Sequence, residues 1–147
     1  MHDVEASHAA TTPFRSYRLL LVGAADAGSL DMAASILRRR GHRVEVDRAL
    51  GEDLSLFDPY DLVVLELDAR NSMALAFLGR LRQASIVPLL VLIPMTGRSQ
   101  GIRALELGAD CFIVFPFDRR ELVARSEALI RRYRQAFSFF QSFQSAT

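Results

Sequence analysis

Ala104-Leu105-Glu106-Leu107-Gly108-Ala109-Asp110-Cys111-Phe112-Ile113-Val114-Phe115-Pro116-Phe117-Asp118 reads as the end of one helix, a strand and the start of another helix. Its first residues close an amphipathic run over 98–107, which Gly108 stops because glycine turns the chain left-handed without a Cβ penalty. Residues 111–114 are an apolar run of strand length, and Asp118 supplies a carboxylate cap for a helix reaching at least Arg134. Working outward, the alternation repeats. Residues 18–22 form a buried strand ending at Gly23. Asp26 or Ser29 can cap a helix that runs to Arg40 and stops at Gly41. Residues 43–46 alternate as an edge strand, and a short helix follows over 49–57 before the Asp58-Pro59 turn. Residues 61–65 and 88–93 are two more buried strands. Between them lies a helix over 72–83 with Met73, Phe77, Leu78 and Leu81 on its core face. Short apolar strands alternating with amphipathic helices predict an α/β fold with a doubly wound, five-stranded parallel sheet of order 2-1-3-4-5. Ligands of such sheets sit beyond the carboxyl ends of the strands.

At 147 residues the chain makes one domain with a real core. A net charge of +1 argues against a nucleic-acid-coating protein, which carries a large basic excess. The single cysteine, Cys111, forms no internal disulfide and fits a reducing cytoplasm. No run reaches the length of a membrane span, and the polar arm 1–16 lacks the order of a secretory signal and is read as disordered. Every basic side chain is arginine, with no lysine anywhere.

The 104–112 stretch, the Phe115-Pro116-Phe117-Asp118 turn and the Glu121-Leu122-Val123-Ala124-Arg125 helix start resemble the receiver domain of bacterial response regulators over about 17–134. The likeness is nearest to receivers of the winged-helix transcription-factor class. It implies a flavodoxin-like fold of the receiver type, and a cis peptide bond before Pro116. It also implies five chemical positions: two acids after strand 1 and an aspartate ending strand 3 that hold Mg²⁺, a hydroxyl ending strand 4 and a lysine ending strand 5. Here the acid pair aligns with Ala24 and Ala25, the phosphoacceptor with Glu66, the hydroxyl with Ile93 and the lysine with Phe115. Losing both metal and lysine removes most of what drives phosphoryl transfer. The resemblance therefore implies a degenerate pseudo-receiver: not an enzyme, with no cofactor and no metal. Asp26 and Asp68 are the acids left to rebuild a cation site with Glu66.

Glu66 has two readings, a permanent mimic of the phosphorylated aspartate or a remnant at the rim of a filled site. Neither Ile93 nor Phe115 answers its charge, and Arg70 or Arg98 are the cations that could. Phe112 occupies the aromatic switch position, its alternative being a packed strand residue. His42 reads as a solvent-exposed turn histidine, and Met73, Phe77 and Leu81 as core. Surfaces remain. Arg103, Glu106, Asp110, Glu121 and Arg125 keep charges where receivers dimerise through the fourth helix, fifth strand and last helix. Phe137, Phe140 and Phe143 give the chargeless tail 135–147 one apolar stripe if it extends the last helix. The expectation is a cytoplasmic signalling domain, homodimeric, acting by phosphorylation-independent protein contacts, with no nucleic acid and no membrane. The alternatives are a receiver still accepting phosphate and a small-ligand sensor using the former phosphate pocket.

Overall fold

A computed structural model describes residues 14–23, 28–48, 59–67 and 73–145, with side chains to 139 and at 141. Among these, five strands alternate with four helices. They are β1 (Arg18–Val22), α1 (Ser29–Arg40), β2 (Arg43–Asp47), β3 (Leu62–Glu66), α2 (Met73–Ala84), β4 (Leu89–Pro94), α3 (Arg98–Glu106), β5 (Cys111–Phe115) and α4 (Arg119–Ser145). All pairings are parallel, in the order β2-β1-β3-β4-β5. This is the architecture expected from the sequence. The short helix expected over 49–57 lies outside the described residues.

The sheet is buried on both faces, which is why its central strands read as unbroken apolar runs. Period-two alternation divides them between two clusters. Leu20, Val22, Val63, Leu65, Leu89, Val91 and Ile93 meet α2 and α3 through Phe77, Leu78, Leu81 and Ala104. Leu19, Leu21, Leu62, Val64, Leu90 and Leu92 meet α1 and α4 through Leu30, Leu37, Leu122 and Ile130. Truncating a side chain such as Leu21 or Leu90, both fully buried, costs about 2–5 kcal/mol.

Three expectations fail here. Met73 is 62% exposed while Phe77 and Leu81 are fully buried, because Met73 opens α2 before the helix reaches the sheet. His42 is buried, not solvent-exposed. The Gly41 N–H returns to the Arg38 carbonyl (3.0 Å) and the His42 N–H to Leu37 (3.2 Å), a closure that folds the second residue past the helix back toward it. The His42 Nδ1 then accepts the Tyr17 N–H (3.2 Å), its Nε2 lies 2.8 Å from Glu127 Oε2, and its ring stacks on Tyr17. Nδ1 as acceptor places the ring proton on Nε2. Phe14 and Ser16, assigned to the disordered arm, are exposed but held on the fold: Phe14 lies against His42 and Ser16 Oγ donates to the Gly41 carbonyl.

The last helix meets its expectation. The Asp118 carboxylate accepts the Arg120 N–H at 2.6 Å, and the helix continues unbroken to Ser145. At 1.5 Å per residue its 27 residues span about 40 Å, and Ile130 is the last buried residue among its described side chains. The tail thus runs past the sheet as helix.

Candidate functional site

The carboxyl ends of β1, β3, β4 and β5 bring together Gly23, Glu66, Ile93 and Phe115. Glu66 pairs with Leu92 and Phe115 with Pro94, so β4 and β5 run two residues past the end of β3. Ala24 and Ala25, like Asp26, Asp68 and Arg70, lie outside the described residues.

Glu66 is not at the rim. It is only 3% exposed and enclosed beneath the start of α1. That helix begins after Gly28, held at φ 82° where a side chain would be strained, and glycine has no side chain with which to cap. The cap comes from the sheet. Glu66 Oε2 accepts the Leu30 N–H at 3.1 Å and a short hydrogen bond from the Ser29 hydroxyl. A carboxylate at a helix N-terminus also meets the positive end of the helix dipole. Ser29 therefore does not cap its own helix, as the sequence suggested. It is the hydroxyl that answers Glu66, and it comes from α1 and not from β4. The signal was present in Gly28-Ser29, a helix start with no side-chain oxygen at the cap, but nothing in the sequence pointed to β3 as the supplier.

The second oxygen, Oε1, is buried with no hydrogen-bond partner among the described residues. It lies over Gly23, where a Cβ would stand 2.8 Å from both Glu66 Cβ and Oε1. Gly23 thus makes room for a carboxylate one methylene longer than aspartate. The Mg²⁺ that the resemblance implies does not fit this arrangement. A hard cation wants several carboxylate oxygens converging on one point. Among the described residues no group of three or more acids, histidines or cysteines converges, and Oε2 of Glu66 is already taken by two donors.

The remaining positions are apolar. Ile93 is 1% exposed, and α3 packs on it so closely that a Cβ at Gly101 would lie 2.8 Å from its side chain and 3.0 Å from the Phe112 ring. Phe112 is half-buried and packed between α3 and the sheet. Phe115 stacks edge-on against Phe117 (5.5 Å, 68°), and the Phe115-Pro116 bond is cis, as expected.

On the α3–β5–α4 face, Arg103 pairs with Glu106 (3.5 Å) and Arg125 with Glu121 (3.1 Å), each within its own helix. Asp110 is engaged internally: it accepts the Leu89 N–H at 2.8 Å and pairs with Arg82 at 3.1 Å, so it props the loops at the base of β4 and β5. Between these charges Ile102 and Leu105 are 52% and 40% exposed, an apolar contribution the sequence reading missed. Phe137 is half-exposed and stacks on Tyr133 (6.3 Å), and Phe139 is 74% exposed. The side chains of Phe140 and Phe143 lie outside the described residues. No described helix is long and apolar enough to cross a membrane.

No family model matches the chain. It is 36% identical over 89 residues to the response regulator ArlR of Staphylococcus epidermidis, an overlap covering 60% of this chain and 41% of that protein. It is 34% identical over 91 residues to ArlR of Staphylococcus aureus, covering 62% and 42%. The chain thus spans about two fifths of the length of these relatives. The receiver domain of NtrX from Brucella abortus superposes with a TM-score of 0.66 at 22% identity, covering 77% of this chain and 98% of that one. A CheY-like receiver domain from Methanospirillum hungatei superposes at 0.70 and 19% identity, covering 83% and 99%. The fold is that of a response-regulator receiver domain, and the sequence likeness is to response regulators.

Proposed function

We propose that this chain is a degenerate receiver that signals through protein contacts without being phosphorylated. The observation that carries the reading is the state of Glu66. Its carboxylate is buried, and Ser29 and the Leu30 N–H already occupy it. A phosphoryl group would need a hydroxyl and a cation to hold it, and the aligned positions are Ile93 and Phe115. Glu66 on this reading is a resident anion answered from α1. It keeps the first helix docked to the strand ends in a single state, and is neither a rim remnant nor a copy of the phosphorylated aspartate held from β4.

With no chemical switch, affinity for partners is built into surfaces. We assign the contact to the α3–β5–α4 face, as a cytoplasmic homodimer. Ile102 and Leu105 supply apolar area there, Arg103, Glu106, Glu121 and Arg125 supply register, and the phenylalanine-rich end of α4 adds to it. Incubating the protein with radiolabelled acetyl phosphate and Mg²⁺ tests the reading. No label should be incorporated. Stoichiometric label mapping to Glu66 would overturn it and restore a phosphate-accepting receiver.

A further inference from the structure

α1 and α4 lie side by side on one face of the sheet, with a groove of about 510 Å³ between them. Five of the nine residues lining it are arginine. Arg40 is answered by Glu127, at 2.8 and 3.2 Å. Arg39, Arg119, Arg120 and Arg131 are exposed and form no ion pair among the described residues. Four unanswered cations on one groove stand out in a chain of net charge +1. Two of them, Arg119 and Arg120, open α4, where the helix dipole disfavours positive charge. Neither forms an ion pair among the described residues that would offset that cost. The floor, by contrast, is apolar, formed by Ile36, Val123 and Ala124.

We infer that this groove docks an amphipathic helix of a partner protein, with an apolar stripe on the floor and acidic residues against the arginine rims. Cation spacing selects this occupant. Arg119 and Arg131 are twelve residues apart on α4, about 18 Å along the axis. That separation is too long for one phosphate and matches about three turns of a partner helix. An apolar floor between two helices is what a third helix packs into, whereas a duplex backbone has nothing to bury there. The inference involves neither Glu66 nor the dimer face, so it stands or falls separately from them.

A phage-displayed library of three- to four-turn helical peptides provides the test. Leucine is fixed along one stripe and all other positions are randomised over Asp, Glu, Lys, Arg and Gln. Selection against the full chain should enrich peptides with an acidic excess flanking the stripe. Binding of a synthetic winner should fall at least about tenfold in Arg39→Glu/Arg119→Glu/Arg120→Glu, and should weaken with salt. Arg80→Glu, on α2, is the control and should change nothing. Circular dichroism of the triple variant should be unchanged, since reversing charge at the start of α4 suits its dipole. Failure to enrich any peptide, enrichment of basic or neutral ones, or equal binding by the triple variant would overturn the inference. So would equal binding of a scrambled peptide of the same charge, or displacement by duplex DNA, since either would reduce the groove to a polyanion-attracting surface.

Discussion

Two neighbours decide the environment of Glu66, and neither carries charge. Gly23 leaves the space, and Ser29 supplies the hydroxyl. Gly23→Ala should destabilise the protein by about 1–3 kcal/mol, the usual range for forcing a methyl into packed surroundings. Ser29→Ala removes a hydrogen bond to a buried carboxylate and should cost about 1.5–3 kcal/mol. Urea unfolding of both variants measures these losses. A change within about 0.5 kcal/mol, the range of ordinary surface substitutions, would show that the Ser29–Glu66 contact does not hold α1 in place. A second residue-level prediction concerns Glu127. Burial alone would push its carboxyl up, but the Arg40 and His42 donors outweigh that and hold it below the ordinary value of 4.5. A depressed carboxyl contributes stability that is fully present above the unfolded value and is lost as pH falls through the folded one. Glu127→Gln should therefore be less stable at neutral pH, and should lose less than the parent on acidification from about pH 5 to 3. Parallel acid limbs for the two proteins would contradict this.

Strands and helices were largely legible, because burial on both faces writes apolar runs and amphipathic helices write a 3.6-residue period. Side-chain partners across elements were not. His42 looked exposed because it follows a helix stop, and only the closure onto Leu37 turns it inward. Asp110 looked like an interface charge because its partner Arg82 is 28 residues away on α2. At the scale of the element, α4 carries the assembly prediction. The Glu121–Arg125 pair is exposed and within one helix, so it contributes under about 1 kcal/mol. In the proposed homodimer apolar area must then dominate: deleting residues 135–147 should weaken association more than Arg125→Ala does. Sedimentation of the parent, the truncation and the point variant decides it. A dimer indifferent to truncation but lost in Arg125→Ala would reverse the ranking of the two forces.

Across the whole molecule, fold and chemistry separate. The five-stranded order and the cis bond before Pro116 match the resemblance, while the positions that would use phosphate are replaced by apolar residues and one occupied carboxylate. The departures from the five positions that the resemblance implies were legible one by one, because a missing lysine or acid is visible in a sequence. The replacement was not, because Ser29 reaches Glu66 across 37 residues. On the proposed reading, that replacement fixes the site in one state. The most direct measurement is an amide NMR titration of the full chain with Mg²⁺ and then beryllofluoride, following Gly23, Ser29, Leu30 and Glu66. These resonances should stay where they are throughout. Saturable shifts at the same four residues, appearing with Mg²⁺ and growing with beryllofluoride, would mean the site still assembles around metal and phosphate.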